Sequence, residues 1–161
     1  MNFRIEPLGR HDRSLFESGS TDLDVYFRNL VSQDIRRNLA SCYVALDSRD
    51  HVAGYYTLSA TSLSVSALPV ARIKRLPRYS DIPAILIGRL AVATAYQGKG
   101  LGLALVVDAA ERTVRSGIAA YALAVDAKDE NAAAFYAKLG FERLGSGLRM
   151  IRPFAGNPFA K

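Results

Sequence analysis

The chain has no tryptophan, a single cysteine and two histidines among 161 residues. With Cys42 alone, an intrachain disulfide cannot form. Its place in an alternating apolar stretch predicts a buried, inert thiol rather than a nucleophile. His11 and His51 make no metal-ligand spacing with Cys42 or with an acid pair, so no metal site is expected. No apolar run approaches the roughly 20 residues of a membrane-spanning helix. The N-terminal stretch sets Arg4, Glu6 and Arg10 among its apolar residues and lacks the core of a signal peptide. A cytoplasmic protein without a membrane partner is the expectation. Acids are also in deficit, with 15 Asp and Glu against 21 Lys and Arg, a formal net charge of +6. Such a field attracts polyanions, either nucleic acid or a phosphorylated cofactor, and composition alone does not choose between them.

What is present is ordinary for a globular domain. Half of the residues are hydrophobic and 22% are charged, which excludes the disordered class. The length fits one domain over residues 1–161, with no internal repeat or linker. An opening strand is expected at 3–7. Thr21 followed by Asp24 resembles a capping box, so a helix is expected from Thr21. Leu23, Phe27, Leu30, Val31 and Ile35 share one helical face, with Asp24, Arg28, Asp34, Arg36 and Arg37 largely outside it. Residues 41–47 and 51–65 read as an antiparallel hairpin about a polar turn. Pro69, Pro77 and Pro83 bracket Arg72, Lys74, Arg75 and Arg78, a basic surface loop with room for one short helix. From Ala84 to Val92 a nearly continuous apolar run predicts a strand buried on both faces. A helix at 101–115, a strand at 120–125, a helix at 131–139 ending at Gly140 and a further strand complete the order.

Between the apolar strand and the helix that follows stand Gln97, Gly98, Lys99, Gly100, Leu101 and Gly102. Glycines there let backbone N–H groups approach a phosphate at a helix N-terminus, where the dipole also favours negative charge. The loop has neither the Gly-Lys-Ser/Thr ending of a Walker loop nor the six-position dinucleotide spacing. Alone it is a weak signal, because such turns also serve packing.

The downstream sequence sharpens it: Asp126 to Asn131, then Ala134-Phe135-Tyr136, then Leu139-Gly140-Phe141. Together with the glycine loop, this order resembles the GNAT acetyltransferase family. The resemblance implies an α/β GNAT fold, a mixed central β-sheet flanked by helices on both faces, with a cofactor strand-loop-helix and a splayed parallel strand pair. It implies acetyl-coenzyme A as cofactor. Gln97, Gly100 and Gly102 match the family's pyrophosphate loop, with Gly98, Lys99 and Leu101 between them. Leu90, Ala91 and Val92 would bond the pantetheine arm through their backbone. Asn131 and Tyr136 would sit beside the pantetheine and the thioester sulfur, with Tyr136 as the proton donor.

Residues 75–79 (RLPRY), 88–92 (GRLAV) and 125–128 (VDAK), with 16–19 (FESG) followed by Leu23-Asp24, are similar to the TacT, KacT and AtaT group of bacterial toxins. That likeness implies acetylation of the α-amino group on charged tRNA, a ribbon-helix-helix antitoxin as partner, and a homodimer. Arg36, Arg37, Arg72, Lys74, Arg75, Arg78 and Arg89 are then candidates for phosphate contacts. The alternative for each is a solvated surface cation, and for Arg89 an ion pair with one of the acids.

The acceptor's acidity bears on the same question. A lysine ammonium near 10.4 needs a strong base before it can attack a thioester, whereas an α-amino group near 7.7–8.0 is partly neutral already. Residues 84–92, where lysine-acetylating relatives carry a glutamate, hold no Asp or Glu. Two alternatives stay open at this stage: acetylation of a small-molecule amine or a protein N-terminus, and a silent coenzyme A-binding module that only engages partners.

Overall fold

Period-two alternation and a long apolar run translate into a sheet. The computed structural model describes residues 2–155. Among them, seven strands stand in the order β1-β2-β3-β4-β5-β7-β6: β1 (Arg4–Pro7), β2 (Ser41–Leu46), β3 (Val52–Ser64), β4 (Asp81–Val92), β5 (Ala122–Asp126), β6 (Glu142–Arg143) and β7 (Arg149–Pro153). The helices are α1 (Thr21–Val25), α2 (Val31–Arg36), α3 (Val70–Ile73), α4 (Leu101–Ser116) and α5 (Glu130–Lys138). β4 and β5 are neighbours joined through α4, the crossover that a parallel pair requires. The sheet is therefore mixed and the class α/β. The described chain falls into two compact units, one running to Ser59 and resuming at Ile87–Glu111, the other made of Ala60–Leu86 and the chain from Arg112.

In the first unit, β2 pairs antiparallel with β1 and with β3, with a bulge at Ala45/Leu46. Its core is aromatic. Phe27 stacks on Tyr55 at 4.2 Å between centroids, and Phe16 meets both rings edge-on. Cys42 is buried against this cluster, and desolvation pushes its thiol up to about 12.

The first helical stretch departs from the expected pattern in three ways. Ser20, not Thr21, is the N-cap, accepting from the Leu23 N–H. Asp24 is buried instead of lying on the wet face, and it reaches back to Ser18 rather than to Thr21. Between α1 and α2, Tyr26–Leu30 forms a π-helical turn. Val31 N–H bonds to Tyr26 five residues back, and the Phe27 carbonyl it bypasses accepts from Arg13 Nη1 at 2.8 Å. The extra residue shifts the helical face, so Tyr26 is buried and Leu30 exposed.

In the second unit, Leu63, Val65, Leu68, Ile82, Ala84, Ala122, Ala124 and Ile151 form the core. β4 begins three residues earlier than the proline-punctuated sequence indicates. Pro83 lies within it, exposed, and its carbonyl accepts from Tyr121 N–H at 2.8 Å. Burial along β4 alternates through much of its length, so the strand is not covered on both faces throughout. The single strand expected after α5 is an antiparallel pair, β6 with β7, and β7 also pairs with β5. At the end of that ladder Arg149 grips Asp126 with two hydrogen bonds, at 2.6 and 2.8 Å.

Candidate active site

The glycine loop lies where the sequence puts it, between β4 and α4. Gly98 and Gly100 have φ of +78° and +82°, and a Cβ built on either meets nothing within 4 Å. The left-handed backbone favours glycine here, and the space above it is open. Among the described residues, the backbone N–H groups of Gly98, Lys99 and Gly100 bond to no other group. The first turn of α4 adds N–H groups that have no intrahelical carbonyl. An exposed cradle of free donors fits a pyrophosphate.

Gln97 has a different part. Its Nε2 donates to the carbonyls of Ser18 (2.8 Å) and Val92 (2.9 Å), and its backbone N–H turns to Thr94. All of its donors are engaged inside the protein, so its side chain braces the loop. Tyr96 adds a second brace, donating its hydroxyl to Asp47 in the β2–β3 turn. That bond, with two backbone donors, holds the Asp47 carboxyl down at about 2. Lys99 is exposed, with Nζ 5.8 Å from the Tyr96 ring centroid.

At the end of β4, Ala91 is buried, and Leu90 and Val92 are half-buried. A Cβ on Gly54 of β3 would lie 2.9 Å from the Ala91 carbonyl, so that strand needs glycine there. Arg89 is neither free nor ion-paired among the described residues. Its guanidinium lies 3.5 Å from the centroid of the Tyr26 ring, and the Tyr26 hydroxyl donates to Asp34 at 2.7 Å.

In the second unit, the Asp129 side chain caps α5 by accepting from Ala132 N–H at 2.8 Å. Asn131 is exposed in the first turn. Tyr136 is 6% exposed, set edge-on between Phe135 and Phe141, and burial pushes its hydroxyl well above the usual tyrosine range. The phenol therefore stays protonated across the range in which enzymes work.

The basic segment divides. Arg72 is bound to Glu142 of β6, whereas Lys74, Arg75 and Arg78 are exposed with no ion-pair partner among the described residues. Arg36 and Arg37, at the end of α2, are exposed as well. Tyr55 and Tyr56 belong to the core, donating to the Leu23 carbonyl and to Asp108. Tyr26, Asp47 and Ser18 are not evident from sequence, since each works through a partner distant along the chain. No group of three His, Cys, Asp or Glu among the described residues is placed to hold a metal ion.

The profile of the acetyltransferase (GNAT) family matches residues 10–141. The chain belongs to this family. Among its relatives, a probable toxin TacT from Sinorhizobium fredii is 31% identical, covering 94% of this chain and 91% of its own. A tRNA-acetylating toxin from Mycobacterium tuberculosis is 34% identical, covering 81% and 78%. AtaT complexed with acetyl-methionyl-tRNAfMet superposes with a TM-score of 0.86 at 28% identity, covering 94% of this chain and 95% of that one. A tyrosine-to-phenylalanine mutant of AtaT, bound to the C-terminus of the antitoxin AtaR and acetyl-CoA, gives 0.79 at 26% identity, covering 95% and 94%. The matched segment includes the glycine loop at 97–102.

Proposed function

We propose that this chain transfers acetyl from acetyl-coenzyme A to the α-amino group of the amino acid on charged tRNA, as a toxin that stops translation. The observation that carries this reading is the likeness over 94% of the chain to AtaT, solved with an acetylated aminoacyl-tRNA. The whole chain acts as one acetyltransferase domain, in keeping with a family match that runs through both units.

The roles follow the family pattern. Gly98, Lys99, Gly100, Leu101 and Gly102 present backbone N–H groups to the pyrophosphate, and Gln97 holds their conformation. Leu90, Ala91 and Val92 line the pantetheine arm, with Asn131 beside it. The neutral amine attacks the thioester carbon, a C–N bond forms, the C–S bond breaks, and the amine's surplus proton passes to solvent. Tyr136 donates its hydroxyl proton toward the departing sulfur and is reprotonated from solvent. β4 carries one acid, Asp81, at the end opposite Val92, so residues 84–92 supply no base. An acceptor with an α-amino pKa near 7.7–8.0 suits such a site. Lys74, Arg75, Arg78, Arg36, Arg37 and Arg89 contact tRNA phosphates, and Arg72 contributes to the loop's shape.

A ribbon-helix-helix antitoxin is the proposed neutralising partner, in line with the AtaT–AtaR complex. The proposed assembly is a homodimer working in the cytoplasm. Leu103 and Val107, one turn apart and exposed on α4, offer apolar surface for a second copy to cover. No helix among the described residues is long and apolar enough to cross a membrane.

The test is transfer of labelled acetyl from acetyl-coenzyme A to bulk charged tRNA, with deacylated tRNA, a polyamine and an N-terminal peptide in parallel. Label only in charged tRNA, released with the amino acid on alkaline deacylation, is the expected result. Label in the polyamine or peptide instead, or none anywhere, would replace this reading with a small-amine enzyme or a silent module.

A further inference from the structure

Asp24 is a 4% exposed carboxylate on α1, apart from the glycine loop and the 126–141 stretch and within the Leu23-Asp24 pair of the toxin-group likeness. No cation pairs with it among the described residues; it is satisfied by one residue. Ser18 donates its backbone N–H to both oxygens at 3.0 Å and its hydroxyl to Oδ1 at 2.6 Å. A buried carboxylate is costly unless such donors saturate it. It is not the cap of its own helix, because Ser20 fills that position.

The other side of the same short segment faces the coenzyme loop. Three successive carbonyls each take a side chain or backbone donor: Phe16 from Arg28 Nη1 at 2.8 Å, Glu17 from Thr94 N–H at 2.9 Å, and Ser18 from Gln97 Nε2 at 2.8 Å. Residues 16–18 are thus a strap. Asp24 and Arg28 hold it from the helical side, and it holds Thr94 and Gln97, the two residues leading into the glycine cradle. Gly19, at φ +94°, turns the chain between the strap and the α1 cap.

We infer that Asp24 is a positioning residue for coenzyme A binding, fixing the pyrophosphate loop through Ser18 and Gln97. The inference rests on the reading of residues 97–102 as that loop. Charge-assisted bonds to a buried carboxylate are stronger than neutral ones and keep a rigid geometry, so the strap carbonyls stay where Thr94 and Gln97 need them. Loosening the strap lets the loop sample conformations in which its N–H groups diverge. Coenzyme affinity then falls by the fraction of time the cradle is formed.

The test compares Asp24→Asn and Ser18→Ala with wild type by calorimetry with coenzyme A. Steady-state kinetics with acetyl-coenzyme A and with acetyl-pantetheine, which has no pyrophosphate, accompany it, and thermal melts check the fold. For Asp24→Asn, the expected rise is about tenfold in both the coenzyme A Kd and the acetyl-coenzyme A KM, the effect of disturbing one buried charged hydrogen-bond set. For Ser18→Ala, which keeps the backbone donor, it is about threefold. In both, kcat at saturation stays within about twofold and kcat/KM for acetyl-pantetheine is unchanged, the signature of weakened binding with the chemistry intact. In a Gln97→Ala background, Asp24→Asn adds less than about twofold, because coupled residues are not additive.

Wild-type coenzyme affinity in both folded variants would overturn the inference. So would equal losses with acetyl-pantetheine, or loss of fold in both variants, since either assigns Asp24 to general stability. Gly100→Asp serves as the control for the loop itself. A folded Gly100→Asp protein that binds coenzyme A normally would sink the loop reading independently of Asp24.

Discussion

The guanidinium of Arg89 lies over the Tyr26 ring, 3.5 Å from its centroid, and the Tyr26 hydroxyl is itself fixed by Asp34 at 2.7 Å. An exposed arginine on β4 is thereby held against a ring, and no acid among the described residues pairs with it. Stacked arginines keep their edge donors available, which suits phosphate contact. Tyr26→Phe retains the ring and is expected to leave tRNA affinity within about twofold, losing about 1 kcal/mol of stability with the Asp34 bond. Tyr26→Leu removes the platform and is expected to weaken tRNA binding as much as Arg89→Ala does. Filter binding of charged tRNA with a parallel thermal melt checks both. Equal affinity in Tyr26→Leu and wild type would confine the stack to packing.

The basic segment supports a sharper expectation than its total charge does. Arg72 is committed to Glu142, whereas Lys74, Arg75 and Arg78 are exposed with no ion-pair partner among the described residues. Replacing those three by Ala should flatten the salt dependence of tRNA binding, by about 0.7–0.9 in log–log slope for each phosphate that is no longer neutralised. Arg72→Ala should leave the slope nearly intact and cost stability by about 1 kcal/mol or less, the scale of a half-exposed ion pair. Affinities measured between low and physiological salt separate the two. An unchanged slope in the triple variant would make the segment a solvated face.

Asp47 ties Tyr96, just ahead of the glycine loop, to the β2–β3 turn, and its folded pKa of about 2 lies below the ordinary 3.8. For a carboxyl depressed by folding, the stabilisation is fully present above the unfolded pKa and disappears as pH falls through the folded one. The Tm difference between wild type and Asp47→Asn should therefore be constant above about pH 5 and shrink steadily from pH 4 toward 2. A difference that persists undiminished at pH 2 would mean that the Tyr96–Asp47 bond does not depend on the ionised carboxylate.

Much of this architecture is legible in the sequence because it rests on local signals. The glycines at 98 and 100, the apolar run of β4 and the stop at Gly140 each report a backbone requirement over a few residues. The hairpin is equally legible, since an alternating stretch and one rich in β-branched and aromatic residues flank a polar turn. Other features depend on distant partners and leave no such trace. Arg72 reads as a free cation until Glu142, 70 residues away, is found beside it. Gln97 reads as a ligand-binding side chain until its donors are seen to end on Ser18 and Val92. The π-turn at Tyr26–Leu30 breaks the 3.6-residue period, so a face drawn through Leu30 places an exposed residue inside and leaves Tyr26 out. Pro83 sits in a strand that its presence argues against, at an exposed position where its carbonyl accepts from Tyr121 N–H.

The most direct test of the account is steady-state acetylation of charged tRNA by wild type and Tyr136→Phe, with thermal melts confirming equal folding. Phe preserves the packing between Phe135 and Phe141 and deletes only the hydroxyl. Because burial keeps that hydroxyl protonated, wild-type kcat/KM should rise with pH through the acceptor amine near 7.7–8.0 and show no fall from tyrosine ionisation. The variant should lose about 10²–10⁴-fold in kcat, the range of general acid catalysis, with little change in KM for acetyl-coenzyme A. A variant that acetylates charged tRNA within about threefold of wild type, a loss under 1 kcal/mol, would contradict the role of Tyr136. Absence of acetylated aminoacyl-tRNA with the wild-type protein would contradict the account as a whole.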